Sequence, residues 1–207
     1  MSVTEDRSAV TPTIAPIADP APLGLAAFAL TTFLLSAANA QWMKAASGDA
    51  WLGYAFAYGG LGQLLAGMWE FRNRNVFGAT AFSTYGGFWI GLAIWWLVVL
   101  PNIATKASVV DHDLAWILLA FAIFNTYMLL WSTQLTVAVF GVFLTLEATE
   151  IILFIGGFAG NANVTKVGGY VGVLTALVAW YTSAAGVTNG MGGALRIPVG
   201  GPLVRQR

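Results

Sequence analysis

The sequence predicts an all-α integral membrane protein, built as a bundle of six transmembrane helices. Of its 207 residues, 58% are hydrophobic and only 9% are charged, whereas roughly a quarter of the residues in a soluble domain are charged. So few charges cannot cover a surface in water, so most of the exterior must face lipid. Because a chain in lipid must satisfy its own backbone hydrogen bonds, the apolar stretches are expected to be helices.

Each predicted helix is close to the roughly 20 residues that a bilayer crossing needs. The six segments run over residues 22–41, 50–69, 80–100, 114–131, 135–157 and 166–189. Residues 132–134 leave room only for a tight turn, so the fourth and fifth helices form an antiparallel hairpin.

The polar ends of the chain divide it into a membrane domain and two tails. We expect a transmembrane domain over residues 19–190, a poorly ordered cytoplasmic tail over 1–18 and a polar cytoplasmic tail over 191–207. A polar run, Asp111 to Asp113 with His112 between them, is expected to lie in an outer loop.

Basic residues near the helix ends set the predicted orientation, because cytoplasmic loops carry more Lys and Arg. If the N-terminus is inside, the cytoplasmic side holds six basic residues and the outer side three. The inner group is Arg7, Arg72, Arg74, Arg196, Arg205 and Arg207, and the outer group is Lys44, Lys106 and Lys166. We therefore predict a multi-pass protein of the cell (inner) membrane with both termini in the cytoplasm.

Composition also argues against several classes of function. The formal net charge is zero, so nucleic acid is not an expected partner. The chain has no cysteine, which excludes disulfides, zinc–thiolate sites, iron–sulfur clusters and thiol catalysis. The single histidine has no set of further ligands around it, and no phosphate loop or nucleophile–base pair is present. We expect no metal, no cofactor and no enzymatic activity.

Polar side chains inside the apolar segments are the most informative feature of the sequence. They occur in five of the six predicted helices. The set includes Thr31, Asn39, Gln63, Ser83, Thr84, Asn125, Thr126, Glu147 and Glu150. Such groups must face protein or water. Any one of them can be an interhelical hydrogen bond, but the set as a whole favours a polar pathway through the bundle.

Glu147 and Glu150 are the strongest anomaly, because ionisable groups in mid-membrane are expensive and usually mark function. Their spacing of three places them on neighbouring faces of one helix. No basic residue lies deep in a predicted helix to pair with them. We hypothesise that at least one is protonated at neutral pH, or that it faces a wetted vestibule or a protomer interface.

Several stretches of the chain resemble one known family. They are DPAPLGLAAFALTTFLL at 19–35, YGGLGQLLAGMWEF at 58–71, NVFGATAFSTYGGFW at 75–89, GGFAGN at 156–161 and RIPVG at 196–200. In this order they resemble the signature and later landmarks of the acetate uptake transporter family (YaaH-like, including the succinate–acetate permeases). The resemblance covers residues 19–200.

The resemblance implies six transmembrane helices, a homohexamer in the lipid bilayer, and passage of small carboxylates through each protomer. Acetate is the implied substrate, and succinate is a second one. A hydrophobic constriction of the family falls by position on Phe28, Tyr85 and Leu146. The chain departs from the family pattern at Asp19, where the family has Asn, and at Glu147 and Glu150, where it has an uncharged polar and an aromatic residue.

The start of the first helix is a candidate site for a carboxylate. The free N–H groups of Leu23, Gly24 and Leu25 and the positive helix end would attract an anion. Asp19 either caps this end or competes with the substrate for it. Further along, hydroxyls and amides of the pathway would contact the substrate without trapping it, from Thr31, Asn39, Gln63, Ser83 and Thr84.

These observations predict a membrane channel or proton-coupled transporter for small carboxylates, with Asp19, Glu147 and Glu150 as candidates for proton coupling or selectivity. The alternative is a channel for small neutral solutes such as urea or short amides, because acids near a pathway suit amide recognition better than anion passage. A membrane scaffold or sensor is a third class, against which the intramembrane polar set argues.

Overall fold

The computed structural model describes residues 17–43, 49–102 and 107–204, and within those ranges it is all-helical, without a strand. This agrees with the predicted fold class. Five helices in the described ranges are long and apolar enough to cross a membrane. They are Ala21–Asn39, Val76–Asn102, Ser108–Ser132, Val137–Ala159 and Ala162–Gly190.

We number the helical elements in chain order, and α2 and α3 are composite. α1 is Ala21–Asn39, α4 is Ala107–Ser132, α5 is Val137–Ala159 and α6 is Ala162–Gly190. α2 covers residues 51–72 as Trp51–Tyr54, a π-helical stretch Ala55–Gly62, and Gln63–Arg72. α3 covers Val76–Ile94, a π-helical stretch Trp95–Val99 and a 3₁₀ turn Leu100–Asn102.

α2 is not among the five long apolar helices, and its glycines explain how it packs. Residues 51–72 contain five glycines, and glycine allows two helix backbones to approach closely. A Cβ at Gly59 would lie 2.5 Å from the Thr31 Oγ1 on α1, and one at Gly60 would lie 2.6 Å from the Ile90 Cγ1 on α3. The π-helical part of α2 therefore lies tightly between α1 and α3.

Tight turns and capping residues connect the helices. Asn75 begins α3 by accepting the Gly78 N–H at 3.0 Å. Thr136 begins α5 by accepting the Val139 N–H at 3.2 Å. α5 ends at Gly160, whose φ of 58° is left-handed and suits glycine. These short connections make antiparallel pairs of α2 with α3, α4 with α5 and α5 with α6. α1 packs most extensively on α6.

The Asp111–Asp113 run lies within a helix, so the expectation of an outer loop is wrong. α4 begins at Ala107, well before the predicted start of the apolar segment at residue 114. Polar residues continue a helix as readily as apolar ones once they lie beyond the lipid, and the hydropathy pattern therefore underestimates its length. The His112 Nδ1 lies 3.5 Å from the Asp113 Oδ1.

The polar C-terminal segment packs on the bundle through hydrogen bonds. The Asn189 side chain donates to the Ile197 carbonyl at 2.9 Å and accepts the Ile197 N–H at 3.0 Å. The Ala138 N–H donates to the Val199 carbonyl, and the Leu203 N–H donates to the Thr133 carbonyl, both at 2.9 Å. Residues 195–204 thus form a strap across the α4–α5 turn. Residues 1–16 of the predicted N-terminal tail, with Arg7, and residues 205–207 of the predicted C-terminal tail, with Arg205 and Arg207, lie outside the described residues. Lys44 and Lys106 lie outside them as well.

Candidate functional site

An apolar cluster forms where α1, α3 and α5 meet, and it contains all three residues predicted for the constriction. Phe28, Tyr85 and Leu146 are 4%, 3% and 6% exposed and belong to one buried core cluster. The Phe28 and Tyr85 rings meet edge to face with their centroids 5.8 Å apart. The Tyr85 ring also contacts Phe124 of α4 at 5.5 Å. Aromatic packing therefore fixes Tyr85 at the centre of the cluster.

The Tyr85 hydroxyl connects this cluster to a polar network. Its oxygen lies 3.1 Å from the Asn125 Oδ1 and 3.3 Å from the Glu150 Oε1. The Asn125 Nδ2 donates to the Glu147 Oε2 at 2.7 Å and to the Phe143 carbonyl at 3.0 Å. The network thus extends from α3 through α4 to α5.

The two glutamates have different surroundings. Glu147 is half-buried and receives a second hydrogen bond from the Thr126 hydroxyl at 2.7 Å. Glu150 is only 4% exposed, and its Oε2 is shielded from solvent and has no hydrogen-bond partner among the described residues. Within the described part of the chain, neither carboxyl has a basic group within 4.0 Å.

Asn125 and Thr126 were recognised from the sequence as buried polar residues but not as partners of the glutamates. Partner assignment needs the packing of α4 on α5, which periodicity within one helix does not supply. The short turn at 132–134 was a usable signal, because residues at similar distances from a tight hairpin turn lie side by side. Counting outward from that turn places Asn125 near Phe143, and the structure has a hydrogen bond between them.

Two of the three N–H groups predicted to be free at the start of α1 have partners. The Leu23 and Gly24 N–H groups both donate to the Pro20 carbonyl, at 3.1 and 3.2 Å. Pro20 has helical dihedral angles (φ −78°, ψ −18°), and its carbonyl therefore points along the helix towards these donors. Asp19 accepts the Ala21 N–H with its Oδ1 at 2.9 Å, so it acts as a cap.

The other residues predicted for the pathway differ in burial and in hydrogen bonding. Thr31 donates to the Ala27 carbonyl of its own helix at 2.9 Å. Gln63 is 1% exposed, and its Oε1 has no partner in the described ranges. The Ser83 Oγ is likewise unpartnered among the described residues. Leu23 is 47% exposed, whereas Leu25 is in the core cluster. Gly24 packs against the Phe82 ring. Thr84 is half-buried.

A cavity of about 420 Å³ opens at the end of the bundle where α1 ends and α2 begins. We call it the vestibule. Its polar lining includes Asn39, Asp49, Asp111, Asn161 and Thr165, and its apolar lining includes Trp51 and Trp96. The described lining contains two carboxylates and no basic residue. Asn39 is the only predicted pathway residue on its described wall.

A further carboxyl, Glu70, is buried at the end of α2. The second predicted segment ends at residue 69, but α2 continues to Arg72 and Glu70 is fully buried. Its Oε2 accepts from the Asn73 side chain at 3.1 Å. Its position in the last turn of α2 gives no sequence signal for burial, which arises from packing against the start of α3 near Gly78. No group of described residues has the composition of a metal site.

A model of the GPR1/FUN34/yaaH family matches residues 5–200. The chain belongs to this family. The expected family resemblance is therefore confirmed.

Members of the GPR1/FUN34/yaaH family with curated names align along most of this chain. Acetate permease A of Emericella nidulans is 43% identical over 198 residues, covering 88% of this chain and 65% of the permease. The succinate-acetate/proton symporter SatP of Escherichia coli is 31% identical over 184 residues, covering 89% of this chain and 96% of the symporter. This chain therefore spans less than two thirds of the length of the fungal relative.

A solved structure in the family has the same fold. The bacterial acetate channel SatP superposes with a TM-score of 0.82 and 30% sequence identity, covering 89% of this chain and 99% of the channel chain. Together with the five long apolar helices, this establishes a multi-pass membrane protein.

Proposed function

We propose that this chain conducts small carboxylates, with acetate as the principal substrate and succinate as a second one, as a channel or proton-coupled transporter. α2 acts as the sixth transmembrane helix in this proposal, and six-helix protomers assemble into a homohexamer with one pathway each. The protein lies in the cell (inner) membrane with both termini in the cytoplasm, so the vestibule opens to the outside. The names of the relatives, acetate permease and succinate-acetate/proton symporter, support the substrate class.

The observation that carries this proposal is the buried cluster of Phe28, Tyr85 and Leu146. Side chains from α1, α3 and α5 lie there in one buried core cluster. We assign this cluster as the neck of the pathway. Acetate has a methyl group that an apolar neck tolerates, whereas a hydrated inorganic ion would lose its hydration shell there without compensation.

Weak polar contacts in the vestibule and at the neck suit fast release. The vestibule offers the Asn39 and Asn161 amides and the Thr165 hydroxyl, and the neck offers the Tyr85 hydroxyl. An arginine or lysine here would bind a carboxylate too tightly for conduction, which needs binding weak enough for exit. Asp19, Gln63, Ser83 and Thr84 remain proposed contributors to selectivity on α1, α2 and α3.

Uptake of labelled acetate by purified protein in liposomes tests the function and the neck together. The Tyr85→Ala variant should change the rate or the selectivity for acetate over larger carboxylates, because it removes the central ring of the cluster. The matched control is Tyr54→Ala, which removes a 55% exposed ring and should leave both unchanged. A Tyr85→Ala protein with wild-type rate and selectivity would remove Tyr85 from the neck. If liposomes with wild-type protein accumulate no carboxylate, the proposed function is wrong.

A second candidate function is a channel for small neutral solutes such as urea or short amides. It is favoured by one observation, namely that the vestibule carries Asp49 and Asp111 and no basic residue in its described lining. Such a surface repels anions and accepts N–H donors. A counterflow assay of acetate against urea separates the two functions, since only the transported solute drives exchange of the labelled one.

A further inference from the structure

The vestibule and the neck lie on one continuous face of α1 and on one continuous face of α5. Leu35 is the vestibule-lining residue of α1 that is nearest to the neck in sequence, and Leu153 is its counterpart on α5. Each lies seven residues from the neck residue of its own helix, Phe28 on α1 and Leu146 on α5. Residues spaced by three, four or seven share one face of a helix. A layer two helical turns deep therefore separates the floor of the vestibule from the neck.

Thr32 is the residue of α1 that lies in this layer. It follows Phe28 by four residues and precedes Leu35 by three, so helix periodicity places it on the same face as both. Thr32 is 5% exposed. Its Oγ1 is shielded from solvent and has no hydrogen-bond partner among the described residues. A buried polar atom therefore faces the space between the vestibule and the neck.

The unused hydroxyl distinguishes Thr32 from other threonines of the bundle. A threonine within a helix can bond the carbonyl three or four residues back with its hydroxyl. Six threonines of the described helices do so, namely Thr31, Thr126, Thr145, Thr149, Thr175 and Thr182. Thr31, the direct neighbour of Thr32, packs against Gly59 of α2. Because a buried hydroxyl without a partner costs free energy, Thr32 needs a partner from outside the described chain.

Glu150 takes the same place on α5 that Thr32 takes on α1. It follows Leu146 by four residues and precedes Leu153 by three. Its Oε1 lies 3.3 Å from the Tyr85 hydroxyl, whereas its Oε2 is shielded and has no partner among the described residues. The layer thus contains two buried oxygen atoms without partners, one from each helix. A carboxyl group matches them, because it carries two oxygens on one carbon.

We propose that the layer between the vestibule and the neck is a substrate-binding site, in which the Thr32 hydroxyl donates a hydrogen bond to the carboxyl group of a small carboxylate. This inference rests on the proposed function, since the ligand is the conducted substrate. The second oxygen of the substrate bonds the Glu150 Oε2 through one proton, which either of the two carboxyls supplies. A hydroxyl holds a carboxylate less tightly than a basic side chain would, so the substrate remains free to leave.

Uptake of labelled acetate by purified protein in liposomes, measured over a range of acetate concentrations, tests this site. Thr32→Val keeps the shape of the side chain and removes the hydroxyl. The apparent KM for acetate should therefore rise about three- to tenfold, as expected for the loss of one hydrogen bond, while the maximal rate should not fall. Thr32→Ser keeps the hydroxyl and should keep the wild-type KM.

Thr182→Val is the matched control, because it makes the same substitution at an equally buried threonine. Thr182 is also 5% exposed, but its hydroxyl donates to the Val178 carbonyl of α6 at 2.8 Å. Its KM for acetate should equal that of wild type.

Thermal unfolding without substrate provides a second readout that does not depend on transport. Thr32→Val removes a buried hydroxyl without a partner, and with it an uncompensated desolvation cost. This variant should unfold at or above the wild-type temperature. Thr182→Val removes a hydrogen bond that the bundle uses and should unfold below it. Gel filtration verifies that each variant is folded and monodisperse before both measurements.

The outcomes separate this inference from the proposed function. If liposomes with wild-type protein take up no carboxylate, the function is overturned together with the site. A transporting wild type with an unchanged KM in Thr32→Val overturns the site alone. Equal increases of KM in Thr32→Val and Thr32→Ser, or in Thr32→Val and Thr182→Val, also overturn it, because the hydroxyl would then not be the cause. A Thr32→Val protein that unfolds below Thr182→Val would show that the bundle itself uses the Thr32 hydroxyl, which contradicts the proposal.

Discussion

Two adjacent glycines of α3 should respond in opposite ways to the same substitution. A Cβ at Gly86 would lie 2.7 Å from the Leu64 backbone nitrogen and 2.9 Å from its Cα, on α2. A Cβ at Gly87 would have nothing within 4 Å. The Gly86→Ala and Gly87→Ala variants therefore add the same methyl group to neighbouring positions of one helix, and only the first methyl group meets another helix.

The size of the difference follows from these distances. Carbon atoms pack at about 3.5–4.0 Å, so the methyl at Gly86 requires a helix backbone, rather than a flexible side chain, to move by nearly 1 Å. Overpacking of this kind costs about 1–3 kcal/mol. At Gly87, Ala is favoured over Gly in a helix by about 1 kcal/mol. We expect the variants to differ by about 2–4 kcal/mol in free energy of unfolding.

Thermal unfolding of the purified, monodisperse protein measures this difference. Gly86→Ala should unfold at a temperature lower than Gly87→Ala by about 5 °C or more. Gly91→Ala provides a second control, since a Cβ there also has nothing within 4 Å. Equal unfolding temperatures for Gly86→Ala and both controls would refute the close approach of α2 to α3.

Three further substitutions test the helix ends and the strap. Asn189→Ala removes both side-chain hydrogen bonds to Ile197. Limited proteolysis should therefore cut residues 195–204 faster than in wild type. An unchanged rate of cleavage would show that Asn189 does not hold the strap. Thr136→Ala removes the cap of α5 and should lower the free energy of unfolding by about 1 kcal/mol. Thr133→Ala is a suitable control, because among the described residues its hydroxyl bonds only to the Leu130 carbonyl at the end of α4. Asp19→Asn keeps an acceptor for the Ala21 N–H, so the free energy of unfolding should stay unchanged, and a large loss of stability would contradict the capping role. If the carboxylate repels the substrate, acetate uptake should rise in this variant.

The helices and their order could be predicted from the sequence, because crossing a bilayer requires long apolar segments whatever the tertiary packing. Each of the six predicted segments overlaps an observed helix, from α1 at Ala21–Asn39 to α6 at Ala162–Gly190. The helix ends could not be predicted as closely as the helix centres, because lipid constrains only the middle of a helix. α4 therefore begins at Ala107, before its apolar pattern does.

The glutamates of α5 show how far the candidate site could be predicted from the sequence. Their charge and their depth in an apolar segment identified them as functional candidates, because an ionisable group is energetically expensive inside a bilayer and usually marks function there. Which groups these two carboxyls contact depends on side chains of other helices. Only the packing of α3, α4 and α5 brings Tyr85 to Glu150 and Asn125 to Glu147.

The sequence by itself determined that the chain is an all-helical membrane protein with acids in its apolar interior, and its motifs identified the family. Local composition is sufficient for these conclusions, because hydropathy and motif spacing are properties of one segment at a time. Only the tertiary structure decided that Asp19 caps α1, that the Leu23 and Gly24 N–H groups are occupied, and that the constriction residues meet in one cluster. The hydrogen bonds at the start of α1 depend on the exact backbone angles there. The constriction cluster depends on how the helices pack against one another.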